Sequence, residues 1–368
     1  MKIDFANLKY QYQLHKTEID KAIKGVLDKC NYIMGEEVAS FEGNLQKFTG
    51  AKYAVTCSSG TDALLLAIMA LDIKPGDEII TSPFTFIATA ETIALLGVKP
   101  VFVDIDEKTY NIDPFKIEEK ITKKTKAIMP VSLFGQPADM GAIQVLADKH
   151  NLKVIIDGAQ SFGGTYNGKT DSNLGDISTT SFFPAKPLGC FGDGGAIFTN
   201  DNTLAAKIKS LRVHGQSKCY YHQYIGIGGR MDTLQCAIVD VKLKYYEKDL
   251  VLRQEVAAKY SKQLAVGSGH LLLPSVNDKC TSSWAQYSVR VKNRGDAQVK
   301  MKERGIPTAV HYPMPLHLQE CFGYLGHKIG DFPISELISS EIISLPMNPY
   351  LLDKEIEYIA NMFTEVIV

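Results

Sequence analysis

The chain has 368 residues, 45% hydrophobic and 22% charged, with 40 basic against 41 acidic side chains and a formal net charge of -1. That length admits two domains, or one large domain with a smaller appendage, and the balance gives no whole-protein field for nucleic acid or an anionic membrane, so any anion must be bound locally. The amino terminus MKIDFANLKYQYQ has no apolar h-region and no apolar run approaches a bilayer span, which predicts a cytoplasmic protein with no membrane partner.

Seven scattered cysteines form no CxxC pair and no histidines cluster at ligand spacing, so reduced thiols and no structural zinc are expected. From about residue 50 to 200, Val- and Ile-rich runs alternate with helical spacing. The first helical pattern, TDALLLAIMALD, opens on Thr61 directly after Ser58, Ser59 and Gly60. Small residues before a helix let backbone N–H groups approach an anion, and the helix dipole favours negative charge there. Such a stretch alone is more often a plain N-cap. DEIITS (77–82) is the next strand pattern. After it, SPFTFIATAET (82–92) offers Phe84 and Phe86, one of which could lie against a planar ring, although core packing is the commoner fate.

KPVFVDID (99–106) and KAIMPVS (126–132) also read as strands, and the basic run KITKKTK (120–126) as a solvated helix end. MGAIQVLADKHN reads as a helix, and KVIIDGAQ (153–160) as a strand that puts Asp157 at its carboxyl end, where α/β sheets collect ligands. A turn-capping Asp is the plain alternative. In SFFPAKPLGCFGDGGA (181–196), Lys186 stands between Pro184 and Pro187 among small residues, poor company for a solvated helix cation. A compact amine whose pKa falls on burial suits covalent attack on a carbonyl. GDGGA reads as a tight turn, without the spacing of a GxGxxG fingerprint, and no GK[ST] follows the earlier cradle.

The longest helical pattern runs over 232–264. SSWAQYSVRVKN (282–293) and IPTAVHYP (306–313) then look like strands of an α+β region. The expected architecture is α/β: a mostly parallel sheet covered by helices over 1–245, with an N-terminal helical segment, and a smaller α+β domain over 246–368. A phosphate cradle, a stacking aromatic, an acid for a ring nitrogen and an amine for an aldehyde are together complementary to pyridoxal 5'-phosphate (PLP).

These residues resemble the DegT-type nucleotide-sugar aminotransferases, which have the type I PLP-dependent aminotransferase fold. The likeness covers NYIMGEEVASFE, SSGTDALLLA, PFTFIATAET, VDIDEKTYNID, PVSLFGQ, DGAQSFG, SFFPAKPLG, GDGGAIFTND, RMDTLQCAI and TAVHYPMPLH. The resemblance implies that Lys186 bonds the cofactor's aldehyde and that Asp157 partners its ring nitrogen. It places Gln160 at the phenolic oxygen, Phe86 on the ring, and Gly60, Thr61 and Ser181 at the phosphate. SFFPAKPLGC, RVHGQ, GRMDTLQ and VHYPMPL are most similar to the enzymes that aminate C3 of a UDP-linked 2-acetamido-3-keto-glucuronate for bacterial surface polysaccharide. By that likeness Arg230, His311 and Tyr312 lie at the substrate end, Arg230 being suited to clamp a carboxylate, glutamate is the amino donor, and the protein is a homodimer.

One departure concerns IGIGGRMD. Family members often carry Asn two residues before the arginine, reaching the phosphate of the neighbouring subunit, and here that position is Gly228. Rival readings are an aminotransferase for a dTDP-3-keto or 4-keto-6-deoxyhexose, a PLP-dependent sugar dehydratase, a non-catalytic PLP-binding regulator and an NAD-dependent oxidoreductase. Lys186 stands where the dehydratases typically have His. The regulator should lack the lysine or the aspartate, and the oxidoreductase lacks its fingerprint.

Overall fold

The computed structural model describes residues 3–265 and 271–367. A seven-stranded sheet runs in the order Tyr53–Cys57, Gly195–Thr199, Ile177–Ser181, Lys153–Asp157, Thr125–Ile128, Glu78–Thr81 and Lys99–Phe102. Gly195–Thr199 is antiparallel to both of its neighbours, and the other pairings are parallel. Most strand positions are buried because helices cover both faces, including Ser178, Thr179 and Thr180 of Ile177–Ser181. Within Lys153–Asp157 the side chains alternate. Ile155 packs with Leu64 and Ala67 of the Gly60–Ala70 helix, whereas Val154 and Ile156 pack with Ile143 and Ala147 of the Met140–His150 helix.

The smaller unit pairs Tyr287–Val291 antiparallel with Leu271–Leu272 and Ile342–Leu345. Helices Arg294–Glu303 and Asp353–Ile367 cover it through Met301, Ile359 and Phe363. The helix Thr233–Leu264 serves both cores. Its Cys236, Val239, Leu243 and Tyr246 pack in the large unit, and its Val256, Ala257, Tyr260 and Leu264 in the small one. Residue 245 therefore lies inside an unbroken helix. Ile3 also joins the small core, and Phe5 C=O accepts the Met347 N–H at 3.2 Å, so the first residues of the chain return to its last quarter.

Two local expectations are corrected. IPTAVHYP forms no strand: only Ala309 pairs, as an isolated bridge with Ser344. Pro307 and Pro313 lack the N–H that a ladder needs, and the residues between them serve the site instead. KITKKTK is no helix end either. A single turn at Glu118–Lys120 is followed by a loop that enters the strand at Thr125. Among the described residues no helix is long and apolar enough to cross a membrane, and no group of three or more His, Cys, Asp or Glu could hold a metal.

Candidate active site

The carboxyl ends of Tyr53–Cys57, Glu78–Thr81, Lys153–Asp157 and Ile177–Ser181 release the segments that carry the predicted residues. After Ser181 the chain makes a compact loop. Lys186 N–H donates to Phe183 C=O at 2.8 Å and Cys190 N–H to Phe182 C=O at 2.7 Å, while Lys242 of the long helix donates its Nζ to Gly189 C=O at 2.6 Å. The loop therefore presents Lys186 from a frame closed at both ends. Desolvation pulls its amine below lysine's ordinary range, and the nearby Asp157 carboxylate opposes that only in part. A larger neutral fraction is the nucleophilic fraction.

Asp157 is 4% exposed, and burial pushes its carboxyl up from the usual range. Against that, Thr89 Oγ1 donates to Asp157 Oδ2 at 2.7 Å and Ala159 N–H to Oδ1 at 3.2 Å. Thr89 belongs to the Ala88–Leu95 helix, and its hydroxyl lies 3.0 Å from that of Thr85, extending the chain of polar contacts into the loop before that helix. A desolvated acid and a desolvated amine within Coulombic reach of each other suit a ligand that brings a basic nitrogen to one and a carbonyl to the other.

Gln160 is held at both ends of its side chain: Phe134 N–H donates to its Oε1 at 2.8 Å, and its Nε2 donates to Tyr312 Oη at 3.0 Å. Ser283 Oγ donates to its main-chain oxygen at 3.0 Å. Burial first, then the Asp157 charge, push the Tyr312 hydroxyl well above the ordinary phenol range. Phe84 is fully buried, whereas Phe86 is 54% exposed with its ring 6.0 Å from that of Tyr312. Phe86 is thus the aromatic left with a free face. Desolvation, helped by the Lys186 charge, depresses His311 to about 4, and its Nδ1 lies 2.9 Å from Ser344 Oγ. The histidine is a neutral hydrogen-bonding group at ordinary pH.

At the start of the Gly60–Ala70 helix, Ser59 caps the first turn by accepting Asp62 N–H at 3.0 Å. A Cβ on Gly60 would come within 2.7 Å of Ser181 Cβ, so only glycine lets these two segments close around the helix end. Gly60, Thr61 and Ser181 are therefore neighbours at a helix N-terminus. Ser58 N–H donates to Gly229 C=O at 3.0 Å, which brings the Arg230 segment to the same cradle. Among the described residues the arginine salt bridges belong to Arg212 and Arg290, so the Arg230 guanidinium has no protein carboxylate. At Gly228 a Cβ would meet His214 Cε1 at 3.1 Å and Nε2 at 3.2 Å; an imidazole fills the space beside this glycine.

The structure thus brings together Lys186, Asp157, Gln160, Phe86, His311 and Tyr312, and beside them Gly60 and Ser181. Sequence reasoning missed Thr89 and Lys242. Thr89 sits 68 residues before the aspartate it binds, and no local pattern marks that contact. Lys242 is a lysine on the buried stripe of a helix, a signal that could have been noticed.

Gly60, with no room for a side chain, the buried acid of Asp157 and the half-exposed Phe86 ring fit the phosphate, ring nitrogen and face of PLP. Fold and constellation together define a PLP-dependent aminotransferase. The chain belongs to the DegT/DnrJ/EryC1/StrS aminotransferase family, whose model matches residues 13–364. It is 48% identical over 365 residues to the UDP-2-acetamido-2-deoxy-3-oxo-D-glucuronate aminotransferase of Pseudomonas aeruginosa, covering 98% of this chain and 99% of that one. It is 44% identical over 359 residues to the dTDP-3-amino-3,6-dideoxy-alpha-D-galactopyranose transaminase of Aneurinibacillus thermoaerophilus, with 98% of each covered. DesV of S. venezuelae, solved in complex with a ketimine intermediate, superposes with a TM-score of 0.96 at 35% identity, covering 99% of this chain and 98% of that one. The protein is a sugar aminotransferase acting on nucleotide-linked keto sugars, and its cofactor is PLP.

Proposed function

We propose that this aminotransferase works in the cytoplasm and moves an amino group from glutamate to C3 of a UDP-linked 2-acetamido-3-keto-glucuronate, on the route to a bacterial surface polysaccharide. The observation that carries the assignment of the reacting groups is the desolvated Lys186 amine within Coulombic reach of the buried Asp157 carboxyl. When bound, PLP supplies an electron sink for carbanion chemistry. Lys186 Nζ would hold the aldehyde, and its neutral amine is the base that would move a proton at the donor's α-carbon. Asp157, itself held by Thr89, would hold the ring nitrogen's proton. Gln160 and Tyr312 would meet the phenolic oxygen, and Phe86 would shield the ring from water. Gly60, Thr61 and Ser181 would hold the phosphate.

Arg230, with no carboxylate partner among the described residues, is suited to clamp a carboxylate bidentately, and a uronate presents one. The likeness to the P. aeruginosa enzyme supports the same substrate. Tyr220, Tyr221 and Ile225 stand 86%, 61% and 92% exposed next to the Gly228 segment, and Ile33 and Met34 are also open. Large apolar side chains left out together support a homodimer closing over this face. The deciding assay compares turnover of the UDP-linked 3-keto-uronate with that of a dTDP-linked 3-keto-6-deoxyhexose, glutamate being the donor. A tenfold or greater preference for the uronate is expected, and equal or reversed preference rejects the substrate assignment.

A further inference from the structure

A second carboxyl lies beneath Asp157. Asp171 is 1% exposed, in a short turn just before the Ile177–Ser181 strand. Its Oδ2 accepts the Ser161 hydroxyl, and a Cβ on Gly158 would stand 3.2 Å from that same oxygen. Its Oδ1 and the hydroxyl oxygen of Ser132 are both fully buried without a hydrogen-bond partner among the described residues, although the Ser132 hydroxyl faces this carboxyl. Ser132 also donates its N–H to Asp157 C=O at 3.0 Å. Asp171 is therefore packed against the residue that follows Asp157 and against a residue bonded to it.

We propose that Asp171 is a positioning residue for the reaction: from beneath Gly158 its negative charge sets how tightly Asp157, and through it the cofactor's ring nitrogen, holds a proton. The inference rests on the assignment of Asp157 as the partner of that nitrogen. Burial holds the Asp171 carboxyl up to about 6, so the charge is present at neutral pH and disappears in mild acid. Two other titratable groups face it, Asp157 and the Cys280 thiol; burial chiefly, and then the charge of Asp171, push that thiol up. Coulombic coupling is mutual: the Asp157 charge makes Asp171 harder to ionise, and an ionised Asp171 makes Asp157 a better proton holder. The two orphaned oxygens need one proton or one water between them, and a group that can take up a proton is suited to that gap.

The test follows the absorbance of the PLP-loaded protein against pH in wild type, Asp171→Asn and Asp157→Asn. Removal of the Asp171 charge by an amide of the same shape is expected to lower the proton affinity of the bound chromophore by about threefold or more, moving the titration midpoint to lower pH. An unmoved midpoint in Asp171→Asn, alongside a moved one in Asp157→Asn, would make Asp171 merely structural and overturn the proposal. If neither variant moves it, the Asp157 assignment itself fails. Should Asp171→Asn not fold, Ser161→Ala decides. Losing one hydroxyl donor favours the neutral acid, so a smaller shift in the same direction is expected, and no shift overturns the proposal. A readout without cofactor accompanies these: the thermal midpoint of apo Asp171→Asn should gain on that of apo wild type from pH 4 to pH 6, because in wild type the folded chain ionises Asp171 later than the unfolded one does and the variant lacks that falling contribution.

Discussion

Gln160 Nε2 donates to Tyr312 Oη at 3.0 Å, joining residues 152 apart across the boundary between the central sheet and the 308–317 segment. The amide is fixed at its other end by Phe134 N–H, so it cannot swing to a new partner if the phenol is lost. Tyr312→Phe should leave a buried amide N–H unpaired and cost about 1–3 kcal/mol of stability. Urea denaturation at neutral pH reads the loss directly, and an unchanged midpoint would mean that water replaces the phenol.

Lys186→Ala should reduce turnover by at least about a thousandfold, since Lys186 is the amine whose charge reaches Asp157 and His311. Borohydride reduction of the wild type followed by peptide mapping should find the cofactor on the Phe182–Phe191 loop. A label on any other peptide removes Lys186 from its assigned role.

Gly60→Val should weaken cofactor binding more than it weakens the fold. The new side chain meets Ser181 across 2.7 Å and must displace it at a cost of about 1–3 kcal/mol. Fluorescence titration of the apoprotein with PLP gives the change in affinity.

The pH dependence of folding carries a signature of His311. Its folded value near 4 lies below the ordinary 6.5, so between those limits the unfolded chain binds a proton that the folded chain refuses. The contribution of His311 to stability should therefore rise with pH across that window, by at most about 1.4 kcal/mol per pH unit for one proton, against the opposite slope contributed by Asp171. His311→Gln should flatten this part of the profile of thermal midpoint against pH.

Arg230→Met should raise KM for the keto-uronate by roughly tenfold or more, and leave the spectral change on glutamate addition in place. If the glutamate half-reaction is what fails, the guanidinium serves the amino donor and not the sugar.

Much of this was legible in the chain. KVIIDGAQ announced a buried strand with an acid at its end because three apolar residues in a row fit a doubly covered sheet, and Asp157 stands at that end. Lys186 was conspicuous because its neighbours are wrong for a surface cation. What remained hidden depends on distance along the chain. The Thr89 to Asp157 bond and the Asp171 carboxyl beneath Gly158 exist only once separate segments meet. IPTAVHYP misled because its alternating pattern is strand-like, whereas two prolines and the demands of His311 and Tyr312 break the ladder after one bridge. The Gly228 departure was visible, but not that His214 would lie beside it.

The helix Thr233–Leu264 acts as a girder shared by two rooms. A chain cut at its middle would expose an apolar stripe on each fragment, so neither half is a self-sufficient building block. Relative movement of the two cores cannot be absorbed by bending the shared beam without straining its hydrogen-bond ladder, so the helix ties the two together.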